Sequence, residues 1–491
     1  MYVLCAVSAT TADCEVGRGT INILPDDVLL LIFHFDRLIY LDELGGFYWA
    51  QSVFWRWHRL IHVCRRWRSV VFGSPNFLGL RLVCRPGTPM GLVGIWPPLP
   101  IIVTNYLMTY TTVPGDYFTT VPGDYFDAVI MHPDRICEIQ LFLLTSSQLQ
   151  RLATARQEQF PALIHLMMHF KDNQPAPALP DGFLGRSTPS LQTLDFDSIP
   201  FPALPKLLLS ATDLVDLTLD HIPHSGYFSP EALVTGLAVS ANLTYLTIEF
   251  ESPLSRPNRE IRRPLQPTRI ILPAITRFQF QGVSEYLEDV LAQIDAPLLD
   301  SIWITFFHQL IFDIPQLAQF MRHTARFQTL NEAHLYFDDS GVQVATLPLS
   351  RALDEKSRLR ISCKKLDWQL SSLAQVFTSF FPSIDMVEHL YIYRPRNLPS
   401  QWQDDIENGQ WLEILDPFTA VTDLCVCKEF AQCITPALQE LVEERVMDVL
   451  PALESLFLEE LQPTGPVQEA IGQFVAARRV LGHPMAVIDW D

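Results

Sequence analysis

Charge is scarce in this chain: 18% of its 491 residues are Asp, Glu, Lys or Arg, against 48% hydrophobic ones. Such a composition excludes wholesale disorder and supplies a large core. Long apolar runs are also missing. Stretches such as 28–33 are cut by charge, polar residues or proline well short of the ~18 residues that span a bilayer, so no membrane association is expected. The start, residues 1–7, is apolar but short and has no basic segment, which argues against a secretory signal. There is no CxxC pair. The nine cysteines are odd in number and scattered, with Cys425, Cys427 and Cys433 the tightest grouping. That pattern points to reduced thiols in an intracellular protein, cytoplasmic or nuclear. The sequon Asn242-Leu-Thr244 falls inside an expected strand and receives no role.

Motifs that carry chemistry are absent as well. No GxSxG, P-loop, GxGxxG, HExxH or EF-hand string occurs. His165 and His169 have a metal-like spacing but lack the accompanying glutamate and lie on an expected strand, and His58 and His62 are read as ordinary side chains. Asp195 with Asp197, and Asp338 with Asp339, put carboxylates near strand ends, where solvated turns are the simpler reading. Glu440, Glu443, Glu444 and Asp448 read as one solvent-facing acidic side of a helix. The expectation is a protein that is not an enzyme and holds no cofactor or metal.

What charge there is lies unevenly. The formal net charge is −20, which disfavours nucleic acid and anionic membranes as partners. Yet residues 45–115 contain no Asp, Glu or Lys and seven arginines, Arg56, Arg59, Arg65, Arg66, Arg68, Arg81 and Arg85, together with five of the ten tryptophans. Arginine among aromatics can bind nucleic acid by phosphate contact and stacking. A helix turned to solvent or to an acidic protein explains the same residues. A second arginine group, at 256, 259, 262, 263 and 269, is interleaved with prolines and reads as a surface loop.

Organisation follows from punctuation and repetition. Residues 1–20 read as a flexible start and 21–85 as a helical domain. Residues 86–134 form a Pro/Gly-rich linker in which Thr111–Phe118 is copied at once as Thr119–Phe126, a duplication that a surface loop tolerates. From 135 to 491 one motif recurs: apolar-x-x-apolar-x-apolar. Its members include Ile136/Ile139/Leu141, Leu163/Leu166/Met168, Leu191/Leu194/Phe196, Leu214/Leu217/Leu219, Leu243/Leu246/Ile248, Ile275/Phe278/Phe280 and Leu299/Ile302/Ile304. Leu335/Phe337, Leu359/Ile361, Val387/Leu390/Ile392, Val421/Leu424/Val426 and Leu453/Leu456/Leu458 follow. The mean step from Ile139 to Leu456 is about 29 residues, the upper end of a leucine-rich repeat. Helices are expected between strands at 230–240, 284–294, 315–324 and 436–449. One strand and one helix cannot bury their own apolar face, so such units must stack. The fold class is therefore α/β: a short helical domain, then an irregular repeat array with a curved sheet inside, helices outside and a C-terminal cap. A plain α/β domain with a mixed sheet is the alternative, since the usual asparagine after each strand is missing.

The sharpest local pattern lies in the helical domain. Leu24-Pro25-Asp26-Asp27-Val28 reads as a helix start, with proline in the first turn and acids at the positive end of the dipole. Leu24, Val28 and Ile32 then recur every four residues, flanked by Leu29 and Phe33. A second helix is expected over 60–72, with Leu60, Val63, Cys64, Trp67 and Val71 on one face. So small a segment is marginal alone, so its apolar faces imply either a bound partner or docking on the chain's own body.

The string Leu24-Pro25-x-x-Val28-Leu29-x-x-Ile32-Phe33, continued by Leu60-x-x-Val63-Cys64-Arg-Arg-Trp67 and Val71, resembles an F-box of the mushroom-type fungal F-box proteins with C-terminal leucine-rich repeats. The 33–63 interval is longer than that family's. The resemblance implies docking on a Skp-family adaptor within a cullin–RING ubiquitin ligase, through Leu24, Pro25, Val28, Leu29, Ile32, Phe33, Val63, Cys64 and Trp67. The repeats would then hold an unknown protein substrate. The alternative is a non-enzymatic repeat scaffold whose N-terminal helices only cap the array.

Overall fold

The computed structural model describes residues 24–42, 56–75, 77–85, 98–105, 132–154, 159–172, 174–256, 269–324, 327, 331–346, 357–381, 384–394, 407–442, 445–460 and 464–490. The 111–126 duplication, most of the linker, residues 257–268 of the second arginine group, and Glu443 and Glu444 lie outside them. The chain forms two compact units, residues 1–84 with 88–102, and 85–87 with 103–491.

In the first unit, α1 (Asp26–Asp42) is followed by α2 (Arg56–Ile61) and α3 (Arg65–Gly73). Two acids open α1 and no base closes it. Leu29 and Phe33 are buried, and the Phe33 ring sits 4.7 Å from that of Trp67 on α3. Arg66 ties the same helices by donating to Asp26, 2.8 Å from Nε, and to the Leu24 carbonyl. The expected single helix over 60–72 is instead two. Cys64 is extended (φ −158°, ψ 172°), and its sulfur accepts the Trp67 N–H at 3.4 Å as a cap for α3. The break turns Ile61 inward and Val63 out, so Leu60, Val63, Cys64, Trp67 and Val71 do not share a face. The short buried strands β1 (Leu82–Cys84) and β2 (Ile101–Thr104) follow.

The second unit is dominated by one sheet. Its first run of strands is β3 (Ile136–Leu144), β4 (His165–Phe170), β5 (Thr193–Asp197), β6 (Asp216–Ile222) and β7 (Tyr245–Phe250). The two-residue strands β8 (Ile270–Ile271) and β10 (Ile294–Asp295) pair only with each other. Next come β9 (Arg277–Gly282), β11 (Ser301–Phe307), β12 (Glu332–Asp338), β13 (Gly341–Ala345) and β14 (Ser357–Ser362). The last are β15 (His389–Tyr393), β16 (Asp423–Val426), β17 (Ser455–Glu459) and β18 (Ala486–Trp490). The expected motif residues are register partners. Ile139, Leu166, Leu194, Leu217, Leu246, Phe278 and Ile302 form one continuous row across β3–β11. Leu390, Leu424 and Leu456 continue the same position across β15–β17.

Neighbouring repeats are stitched by a recurring bond. The carbonyl just before a strand accepts two successive N–H groups of the next repeat: Gln192 from Val215 and Asp216, Val215 from Thr244 and Tyr245, Thr244 from Thr276 and Arg277. The strand ends also share a device. Leu143, Ser198, His221 and Glu460, each two residues after the last inward motif residue, have φ between 49° and 60°. Ser198 and Glu460 stand just past their strands, and Leu143 and His221 mark a register shift near the ends of β3 and β6, where the usual asparagine is missing.

Connecting helices are α4 (Ser146–Thr154), α5 (Leu204–Leu208), α6 (Pro230–Leu237), α7 (Ser284–Leu291), α8 (Pro315–His323), α9 (Leu366–Phe380), α10 (Asn408–Leu415), α11 (Lys428–Gln439) and α12 (Pro466–Val480). From α5 to α12 each packs on the next, so the helices form a second layer over the leucine-bearing face. Glu288 of α7 fixes one such step by accepting the Gln316 and Leu317 N–H groups of α8, both at 2.8 Å. The helix expected from Pro436 begins earlier, at Lys428. Pro436 lies inside it, Glu440 is its C-cap and Asp448 sits in a later turn bonded to Arg445. Neither Glu440, at the end of the helix, nor Asp448 lies within a helix, so the described residues of 440–448 form no acidic helix face. Asn242 lies in an exposed turn rather than a strand.

One repeat breaks the order. Across the sheet the strands run β11-β14-β13-β12-β15. The expected neighbours Leu335/Phe337 and Leu359/Ile361 are separated by β13, which is antiparallel to both. β14 takes the place beside β11, with Leu359 opposite Ile304, and β12 pairs with β15, with Leu335 opposite Ile392. The cause is a hairpin at Asp338–Gly341. Gly341 is obligatory in it, because a Cβ would lie 2.3 Å from the Ile361 carbonyl oxygen. From β3 to β18, β13 is the one antiparallel strand of this sheet, so the array is a parallel strand–helix stack with one mixed insertion.

Candidate binding surface

Strand periodicity puts alternate side chains on opposite faces. With the motif residues turned to the helices, the other face of the sheet carries the remaining side chains, and this open face is the chemically varied one. On β5–β7 it presents Asp195, Asp197, Asp216, Asp220 and Glu249, while β4 adds His165 and His169. No Lys or Arg lies on β4–β7.

The carboxylates are crowded. His169 Nε2 is 3.2 Å from Asp195 Oδ1, and His221 Nδ1 is 3.0 Å from Asp197 Oδ1. Burial works to lower His169, but the hydrogen bond and charge of Asp195, with Asp197 and Asp220 behind it, hold it above the ordinary imidazole value. Asp220 is pushed up to about 7, first by burial and then by the charges of Glu249, Asp195 and Asp197. Asp216 is raised by burial, with the Thr218 hydroxyl bond partly offsetting it and Asp195 adding to it. Asp195 and Asp197 are thus on the strand itself rather than in a solvated turn.

Further along, the chemistry changes. Arg358 lies 4.9 Å over the Trp303 ring. Arg360 bonds both Asp338 oxygens at 2.9 Å and the Ser340 hydroxyl at 2.7 Å, which pins the hairpin. Although burial works to raise Asp338, the Ser340 and Arg360 donors hold it below the ordinary carboxylate value. Then comes a stack of near-parallel rings. His334 and Tyr391 are 4.4 Å apart at 1°, Tyr336 and Tyr393 are 5.3 Å apart at 21°, and Tyr391 and Tyr393 are 5.8 Å apart at 10°. Flat aromatic surface with phenolic edges is a common anchor for protein partners.

No protein-family model matches the chain, and no curated protein matches it. Among solved structures, the leucine-rich repeat-containing protein LegL7 of Legionella pneumophila is similar over 80% of this chain and 96% of its own, at 13% identity and a TM-score of 0.26. A likeness of that size carries no weight, and the repeat architecture rests on the strand register. No helix of the described residues is long and apolar enough to cross a membrane.

The residues singled out in the helical unit divide into two sets. Leu29 and Phe33 are buried, and Trp67 packs on Phe33 while Cys64 caps α3. Ile32 is 42% exposed and Val63 58% exposed, and Pro25 is also exposed, whereas Leu24 and Val28 are half-buried. The stripe anticipated as Leu24, Val28 and Ile32 thus lies on the outer side of α1, extended by Leu31 at 48% and Phe35 at 58% exposure. Sequence reasoning passed over Leu31 and Phe35, although Phe35 stands seven residues after Val28, one of the helical spacings.

Among the described residues, Cys427, Glu429 and Glu459 are the group with ligand-like spacing, their donor atoms within 4.8 Å of one another. Burial pushes the Cys427 thiol up to about 12. It also sits at the N-terminus of α11, where the helix dipole opposes a cation, and no ion is assigned to it. Cys425 is likewise pushed up to about 12 by burial, and Cys433 is raised. Nearby, a groove of about 490 Å³ lies between α11, α12 and the end of β17, with Lys428 held by Glu460 at 2.6 Å on its wall.

Proposed function

We propose that this chain is a non-enzymatic adaptor: its helical unit docks on a Skp-family adaptor of a cullin–RING ubiquitin ligase, and the open sheet face holds a protein to be modified. The observation that carries the docking half is the exposed face of α1 formed by Leu31, Ile32 and Phe35, with Val63 exposed elsewhere on the same unit, whose string resembles an F-box. Large apolar groups exposed together on one helix face mark an interaction site more often than singly exposed ones do. The unit keeps its own core through Leu29, Phe33, Val70 and Val71, so the outer row is free to serve a partner. The half-buried aromatic and ionic side chains of the sheet support the second half of the reading.

Co-purification of the full chain with a recombinant Skp-family adaptor tests the docking. Wild type is expected to retain the adaptor. Ile32→Asp and Phe35→Asp, both at outward positions, are expected to lose it while keeping the far-ultraviolet circular dichroism of the parent. Equal recovery by all three overturns the reading.

A further inference from the structure

We propose that the segment held by the sheet is rich in arginine or lysine and is gripped by the carboxylates of β5, β6 and β7. This inference rests on the reading of the open face as a partner-holding surface and names the chemistry of that partner.

Three adjacent parallel strands, about 4.8 Å apart, carry Asp195, Asp197, Asp216, Asp220 and Glu249 on one face with no Lys or Arg on those strands. The register puts Asp197 beside Asp220 and Thr193 beside Asp216, so the charges form a block rather than a line. Nearby histidines answer part of it, His169 at Asp195 and His221 at Asp197. Among the described residues, Asp216 and Glu249 have neutral donors, Thr218 and Gln279. Like charges held this close destabilise a sheet. Such a feature is characteristic of a surface that a complementary charge completes.

A second observation points the same way. Thr247 stands on this face, opposite Thr218 and Gln279 in register. It is 2% exposed, and its hydroxyl has no hydrogen-bond partner among the described residues. The Gln279 side chain bonds Glu249 at 2.5 Å and Tyr245 at 3.5 Å, the two residues flanking Thr247 on its strand. An incoming guanidinium or ammonium group offers several donors at once. It can take over Glu249 from Gln279 and donate to the Thr247 oxygen. Raised Asp220 and Asp216 fit a block of charge that the nearby histidines neutralise only in part.

The test uses the full chain and a fluorescein-labelled oligoarginine peptide, read by fluorescence anisotropy at moderate salt. The net charge of −20 will attract any cation weakly, so two variants of equal formal charge change are compared above about pH 8, where Asp220 is ionised. Asp195→Asn/Asp220→Asn/Glu249→Gln removes three of the five carboxylates of the face. Glu440→Gln/Asp448→Asn/Glu469→Gln removes the same charge from the α11–α12 region. The first is expected to bind about tenfold more weakly than wild type, and the second within about twofold. Equal weakening by both, or none by the first, overturns the inference. Adaptor capture is read on the same samples: its loss with the peptide preference intact removes the ligase reading alone. Loss of the preference with capture intact removes the charge inference alone.

Discussion

Replacing Asp220 by asparagine should make the protein more stable, and only above acid pH. Asp220 is pushed from 3.8 up to about 7 in the folded chain. A group whose folded value is raised binds protons more tightly when folded, so the folded state loses stability as pH rises from about 4 to about 7. The full shift of about 3 units corresponds to ~4 kcal/mol. The side chain is partly exposed, and solvent screening reduces this to roughly 1–2 kcal/mol. Urea unfolding of wild type and Asp220→Asn should give equal free energies at the acid end of that window. A gap of about 1–2 kcal/mol in favour of the variant should open as the window is crossed. Glu288 is also raised to about 7, chiefly by burial, but it is common to both proteins and cancels in the difference. If Asp220→Asn is less stable at neutral pH, or the gap does not depend on pH, the crowding of carboxylates on β5–β7 is not a source of destabilisation.

Further outcomes follow from other positions. Leu246→Ala empties the fully buried row between Leu217 and Phe278 and should cost about 3 kcal/mol by chemical denaturation. Arg360→Ala leaves Asp338 without its guanidinium and should cost about 1–2 kcal/mol at neutral pH. Because Asp338 is held low in the folded state, that loss should fade as pH falls through its folded value, measurable by the same denaturation at acid pH. Leu143→Asn relieves a left-handed φ of 53° at an exposed position and should raise stability by up to about 1 kcal/mol, read as a higher thermal midpoint.

The sheet was legible because each repeat carries its own copy of the inward pattern, and the inward residues of ten strands are the residues whose spacing marked them. The insertion was not, because Leu335 and Leu359 keep the motif while the strand between them reverses. Its signal was present in Asp338-Asp339-Ser340-Gly341 followed by Val342-x-Val344, a turn and then a period of two, the pattern of a hairpin. The break at Cys64 was hidden for the opposite reason: apolar residues keep helical spacing across a turn, and the only cue is a capping thiol. The open face was read residue by residue, as a histidine pair or an aspartate pair. Asp195, Asp216 and Glu249 lie 21 and 33 positions apart in sequence, and only the strand register gathers them. The apolar string of the helical unit was legible as helix-forming, yet which half of it faces outward depends on how Trp67 meets Phe33, a contact between residues on separate helices.

The most direct measurement is a calorimetric titration of the full chain with a purified Skp-family adaptor. A saturable one-to-one interaction is expected, abolished by Ile32→Asp and unchanged by the triple substitution on the acidic face. No heat of binding with wild type, or equal affinity for Ile32→Asp, would contradict the adaptor reading.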